Sequence, residues 1–234
     1  MTDFARQMLR ARRAPLHLVI FDCDGVLVDS EPVTNRVVAA ELTRLGWPMN
    51  AAGCQVRFLG MNLSAMVPLI EAKLGRPLPA RWPHDLEERL VTVLGEDVEL
   101  MPGAEAALAE TTRLGLPWRI ASNSSHAELR AKFGRNGLGD LVAGRLHSHH
   151  DVRLGKPAPD LFLAAAAAEG VAREHCVVIE DSLPGVRAAM AAEMTCLGFC
   201  PDDDGARLMA AGAAPFHSLH DLPLLLRLAL EKSE

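Results

Sequence analysis

The sequence predicts an α/β fold: a parallel, helix-covered sheet with a helical domain inserted after its first strand. Two observations carry this. Short apolar, β-rich runs recur along the 234 residues, each followed by polar punctuation and then a helical pattern; buried strands alternating with helices indicate a parallel sheet. The stretch from Ser30 to Val98 breaks that rhythm with helical patterns alone, too long for a simple crossover.

In chain order, residues 1–14 carry Arg6, Arg10, Arg12 and Arg13 against Asp3. They read as a frayed N-terminal extension, since the apolar run that follows is too short for a leader's core. Leu16–Phe21 is the first strand. Residues 15–29 and 99–234 are assigned to the sheet domain and 30–98 to the helical one. Helices are expected there at Val33–Leu45, Asn62–Leu74 and His84–Leu94, separated by turn signals at Gly46-Trp47-Pro48 and Arg76-Pro77-Leu78-Pro79. The chain rejoins the sheet domain near Met101-Pro102-Gly103. Further strands follow at Trp118–Ala121, Cys176–Ile179 and Thr195–Phe199, and further helices at Gly103–Leu114, Ala127–Phe133, Pro159–Glu169, Gly185–Glu193 and Ala206–Ala211.

Composition narrows the function. Apolar residues at 49% and charged ones at 23% exclude a disordered or collagen-like chain. The +3 start within a net charge of −6 leaves −9 for the remainder, a poor partner for DNA or anionic lipid. Aromatics at 4%, with no tyrosine, supply few stacking platforms for nucleic acid. No run approaches the roughly 18 apolar residues of a membrane span. The five cysteines (Cys23, Cys54, Cys176, Cys196, Cys200) contain no CxxC pair and read as reduced, buried thiols of a cytoplasmic protein.

Parallel sheets place ligands beyond the carboxyl ends of their strands, and the residues just past the apolar runs form one chemical set. Asp22-Cys23-Asp24-Gly25-Val26 follows the first run and Ser122-Asn123-Ser124 the second. Lys156 stands in Gly155-Lys156-Pro157-Ala158-Pro159-Asp160, and Glu180-Asp181-Ser182 follows Cys176–Ile179. Each piece alone has an ordinary structural use: Asp-x-Asp-Gly as a turn, Ser-Asn-Ser or Glu-Asp-Ser as helix-capping chemistry. Together they suit phosphoryl transfer. Asp22, Glu180 and Asp181 offer hard oxygens to Mg²⁺, and Lys156 supplies a fixed cation. Ser122 and the amides beyond the strand ends supply hydrogen bonds to phosphoryl oxygens, with Gly25 and Asn123 as further candidate phosphate-binding residues. Two carboxylates two residues apart can act as nucleophile and as acid/base.

These motifs resemble those of the haloacid dehalogenase-like (HAD) hydrolases over nearly the whole chain. Phe21–Ser30 is similar to the family's first motif, Ser122 to the second, Lys156 to the third and Glu180-Asp181 to the fourth. The helical insert resembles the C1-type cap of the subgroup holding β-phosphoglucomutase and many sugar-phosphate phosphatases. The resemblance implies a Rossmann-like core. It also implies that Asp22 attacks phosphorus to form an aspartyl-phosphate, that Asp24 serves as acid and then base, and that Ser122 and Lys156 hold the phosphoryl group. Mg²⁺ is expected on Asp22, the Asp24 carbonyl and Asp181, with Glu180 among or behind the ligands. Asp24 argues against dehalogenation, whose leaving group needs no proton.

The resemblance favours a phosphatase of a sugar or sugar-acid phosphate such as 6-phosphogluconate, acting as a monomer or weak homodimer. The alternatives are a phosphosugar mutase and a phosphoglycolate phosphatase. Thr34 stands where β-phosphoglucomutases carry a His, and Leu59-Gly60-Met61-Asn62-Leu63 lacks their cap-loop cations. Arg57, in Arg57-Phe58-Leu59-Gly60-Met61, is the candidate contact for a substrate carboxylate or second phosphate. The His147-Ser148-His149-His150-Asp151 tract reads as a solvated loop, Pro201-Asp202-Asp203-Asp204-Gly205 as an acidic turn, and Met8, Met66, Met190 and Met209 as core or gap fillers.

Overall fold

Four consecutive buried residues, Leu18–Phe21, form the strand β1, covered on both faces as a central parallel strand must be. The computed structural model describes residues 3–12, 14–58, 61 and 63–231. It divides into two compact units: Met1–Val28, Leu100–His126 and Asp140–Glu234 in one, Asp29–Glu99 and Ala127–Gly139 in the other.

The helix α1 (Asp3–Ala11) precedes β1; β2 (Val28–Asp29) follows it, and then come α2 (Glu31–Arg44), α3 (Ala51–Phe58), α4 (Leu63–Leu74) and α5 (Trp82–Asp97). After β3 (Glu99–Leu100), which pairs with β2, the chain runs through α6 (Ala104–Arg113), β4 (Trp118–Ser122), α7 (His126–Arg135), α8 (Gly139–Val142) and β5 (Leu146–Ser148). It ends with α9 (Asp160–Ala168), β6 (Cys176–Glu180), α10 (Leu183–Ala191), β7 (Thr195–Phe199), α11 (Ala206–Ala210), β8 (Ala214–Phe216) and α12 (Leu222–Leu230).

The main sheet has the order β5-β4-β1-β6-β7-β8, with every pairing parallel. The α/β expectation holds, and each strand named from the sequence is present. Phe21 lies opposite Ile120 on one side and Ile179 on the other. That register brings the chain beyond β1, β4 and β6 to one edge. The five cysteines are free and buried, and burial pushes the Cys176 thiol up to about 11, which keeps it neutral and unreactive.

Four expectations need correction. Residues 3–11 are a helix, not a frayed extension: Ala5 and Leu9, four apart, are buried within the first unit, and the Arg12 guanidinium donates to the carbonyls of Cys176 and Glu174 at 3.1 Å each. The histidine tract is not a solvated loop. Its first residues form the edge strand β5, and the next three a 3-10 turn capped by the Ser148 hydroxyl and the Asp151 carboxylate. Short α3 and the strand β8 are additional elements that the apolar runs did not signal. Met209 is exposed, whereas Met66 is buried and Met190 packs against the core.

The second unit has its own polar anchor. The Glu41 side chain, 3% exposed, accepts from Arg44 at 2.7 and 2.9 Å, from Arg89 at 2.7 Å and from the Trp82 indole at 2.9 Å. The Arg44 hydrogen bonds lead in holding its carboxyl down to about 2, against the opposing effect of burial, with Trp82 and Arg89 adding to them. A depressed carboxyl contributes stability above its unfolded value and loses it as pH falls from about 4.5 towards 2. Glu41→Gln is therefore expected to cost about 2 kcal/mol at pH 7, read as a lower thermal midpoint. The gap between variant and wild type should narrow below pH 4; a constant gap would remove the ionic account.

Candidate active site

The site is built on the sheet edge where β1, β4 and β6 end. Asp22 follows β1 directly and its amide donates to the Ile179 carbonyl at 2.9 Å. Its side chain is 9% exposed. Lys156 reaches between two carboxylates, with Nζ 2.6 Å from Asp22 Oδ1 and 2.6 Å from Glu180 Oε1. Burial pushes the Asp22 carboxyl up, Lys156 pulls it back, and Glu180 and Asp24 push it up again, to about 7. Burial pushes the Lys156 ammonium down, but attraction from Asp22 and Glu180 wins and raises it. The lysine is therefore a permanent cation.

Asp24 lies in the turn after β1. Its Oδ2 accepts from the hydroxyls of Ser122 at 3.1 Å and Ser124 at 2.8 Å, and the Ser124 amide donates to Ser122 Oγ at 3.0 Å. Gly25 has φ +77, the left-handed region, and any Cβ there would overlap the Asp181 carboxylate. Only glycine lets the turn approach Asp181 this closely.

Asn123 clamps the Lys156 backbone: its Oδ1 accepts from the Lys156 amide at 2.9 Å and its Nδ2 donates to the Lys156 carbonyl at 3.1 Å. The side chain thus sets where the lysine starts, leaving the Asn123 amide for any contact to a ligand. Glu180 is fully buried. Its Oε2 accepts from the amides of Asp181 and Ser182 and from the Ser182 hydroxyl at 2.9–3.0 Å. With Oε1 on Lys156, Glu180 is engaged as a holder of the loop and the lysine. Gly185 is required behind it, because a Cβ there would overlap the Glu180 carboxylate.

The structure thus gathers Asp22, Asp24, Gly25, Ser122, Asn123, Lys156, Glu180 and Asp181 at one place. Arg57 belongs to the other compact unit; it is exposed, near the end of α3, with its guanidinium 6.0 Å from the Trp47 ring centroid. Leu59, Gly60 and Asn62 of the loop that follows lie outside the described residues. Ser124 joins the site beyond the residues expected from the sequence; its two-residue spacing from Ser122 is the signal that both hydroxyls meet one partner.

The donor set suits a hard divalent cation. Oxygens of Asp22, Glu180 and Asp181 lie within 4.8 Å of one another, and carboxylate oxygens are the ligands Mg²⁺ takes. With both Glu180 oxygens already bonded to protein donors, Asp22 and Asp181 are the carboxylates that fit it directly.

The family model described as haloacid dehalogenase-like hydrolase matches residues 16–193. The chain is 26% identical over 211 residues to the 6-phosphogluconate phosphatase of Escherichia coli strain K12, covering 90% of this chain and 94% of that protein. It is 31% identical over 179 residues to hexitol phosphatase B of the same strain, covering 75% and 79%. Among solved structures, a conserved haloacid dehalogenase-like protein of unknown function from Agrobacterium tumefaciens str. C58 is 35% identical, with a TM-score of 0.76 over 91% of this chain and 98% of that one. No described helix is long and apolar enough to cross a membrane.

Proposed function

The chain belongs to the haloacid dehalogenase-like hydrolase family and is a phosphatase within it; from that premise we propose a Mg²⁺-dependent cytoplasmic enzyme hydrolysing a small sugar or sugar-acid phosphate, such as 6-phosphogluconate. The observation that carries the reading is the buried Asp22–Lys156–Glu180 chain with Asp181 beside it. It joins a positioned carboxylate to a permanent cation in a dry setting, where electrostatic stabilisation is strongest.

Asp22 attacks phosphorus, the ester oxygen departs, and Asp24 gives that alkoxide its proton. The aspartyl-phosphate on Asp22 is then hydrolysed by a water that Asp24, now ionised, deprotonates. The Ser122 and Ser124 hydroxyls hold the Asp24 carboxylate in place for both transfers. Lys156 neutralises the phosphoryl oxygens. Bound by Asp22, Asp181 and the Asp24 carbonyl, Mg²⁺ would supply the further positive charge that a phosphate dianion needs among carboxylates. Arg57 is the proposed contact for a substrate carboxylate or second phosphate, and the 6-phosphogluconate phosphatase relative supports an acidic sugar phosphate.

A phosphate-release panel with excess Mg²⁺, spanning 6-phosphogluconate, hexitol phosphates, phosphoglycolate and β-glucose 1-phosphate, tests the reading. The largest kcat/KM is expected on a sugar or sugar-acid phosphate, with activity abolished by chelator and restored by Mg²⁺. Conversion of β-glucose 1-phosphate to glucose 6-phosphate without phosphate release would establish a mutase instead. A rate indifferent to chelator would remove the metal.

A further inference from the structure

At the opposite edge of the sheet, where β4 begins, lies a cavity of about 530 Å³ lined by Thr112, Gly115, Trp118, Arg119, Arg145 and Glu169. Trp118 and Ser122 are four residues apart on β4, so the cavity and the site described above are separated by about 13 Å of strand. The two arginines in its wall differ in state. Arg119 is committed: its Nε lies 2.7 Å from Glu169 Oε1, and its other nitrogens donate to the carbonyls of Gly144 and Ala168. Arg145 has no carboxylate partner among the described residues.

Arg145 is nevertheless held still. Its guanidinium carbon sits over the Trp118 ring, 4.4 Å from the centroid, and its Nη1 donates to the Trp118 carbonyl at 3.4 Å. Trp118 is itself buried and fixed by an indole bond of 2.9 Å to Thr112 Oγ1. The Arg145 carbonyl accepts from the Ile120 amide at 2.9 Å, which ties the residue's backbone to β4. The ring contact and the Nη1 hydrogen bond hold the guanidinium in place and leave Nε and Nη2 as donors, a fork that matches two oxygens of one anion. The wall carries two arginines against one glutamate, a local +1 on a chain of net charge −6.

The geometry points to a second anion site, in which the Arg145 fork binds an oxyanion, phosphate or carboxylate, in the cavity at the amino-terminal edge of the sheet. The site is separate from the hydrolytic one and does not depend on that assignment. Arg119 and Glu169 set its strength: the glutamate neutralises Arg119 and lowers the local potential, so Glu169 limits how tightly an anion is held.

The test is a titration of the full-length ¹⁵N-labelled protein with inorganic phosphate and, separately, with malonate at constant ionic strength, followed at the Trp118 indole N–H. A saturable shift with phosphate alone identifies a phosphate site, with malonate alone a carboxylate site, and with both a general oxyanion site; each supports the inference. Arg145→Gln should weaken binding at least tenfold while the thermal midpoint and the remaining amide spectrum stay those of the wild type. Glu169→Gln should tighten binding about two- to fivefold, the scale of a screened charge pair, an opposite change that loss of structure would not produce. No saturable shift in the wild type, or one of equal midpoint in Arg145→Gln, overturns the site.

Discussion

Asp22→Asn is expected to lower phosphate release from p-nitrophenyl phosphate by about four orders of magnitude, the scale of losing a covalent nucleophile, while leaving the protein as stable as before or more so. The amide fills the same volume but does not attack phosphorus. Its effect on stability follows from the charges. Lys156 keeps its 2.6 Å bond to Glu180, so the ammonium stays paired when Asp22 becomes neutral. The substitution removes one of two carboxylates sharing that cation in a buried setting, where charge is costly. The sign with pH can be worked out. Folding raises the Asp22 carboxyl from 3.8 to about 7, so between those values the folded chain holds a proton that the unfolded chain has lost. Wild-type stability from this group therefore falls as pH rises through that window. Measured with chelator present, the thermal midpoint of Asp22→Asn should exceed that of the wild type by a few degrees at pH 8 and by little at pH 4. Near wild-type turnover would remove Asp22 as the attacking group. A midpoint well below wild type at pH 8 would overturn the electrostatic account.

Asp22 and Glu180 were legible because each directly follows a run such as Leu18–Phe21 or Cys176–Ile179, whose continuous burial leaves an unmistakable apolar word, and Asp24 because it stands two residues past Asp22. What was not legible is short or tertiary. The edge strands β5 and β8 have three residues each, one containing His147 and the other Pro215, and proline in a strand is tolerated mainly at an edge. The helix α1 shows only Ala5 and Leu9 as buried positions among arginines. The helix α12 buries Leu222, Leu225, Leu226 and Ala229, yet it is not among the helices expected from the sequence, because the exposed Leu224 makes the run apolar all round and blurs its face. The Asn123 clamp on Lys156 joins residues 33 apart, and no local pattern announces it. Motif residues thus appear in the sequence as chemistry, while the groups that aim them appear only in the fold.

Lys156→Met should act in the reverse direction from Asp22→Asn. The side chain is 4% exposed and lies between carboxylates at 2.6 Å on either side, with its ammonium 4.8 Å from the Phe162 ring centroid. A methionine fills much of the volume but leaves Asp22 and Glu180 facing each other without their shared cation. Removing one partner of a buried ion pair costs about 3–5 kcal/mol, or roughly 6–20 °C in midpoint for a chain of this size, and phosphate release should be lost as well. Arginine should not rescue it, because a planar guanidinium does not fit the space of a compact ammonium donating to two oxygens. The deficit has a pH signature. The Asp22 carboxyl, already raised, is pushed further up once its lysine is gone, so the loss is largest at pH 8 and shrinks as pH falls and Asp22 takes up a proton. The decisive comparison is the double variant Asp22→Asn/Lys156→Met. With the Asp22 charge gone, less repulsion remains for the missing lysine to offset, so the double variant should be more stable than Lys156→Met alone, with a coupling of at least about 1 kcal/mol. Additive effects would mean that Lys156 stabilises the fold by packing against Phe162 and not by holding two carboxylates together.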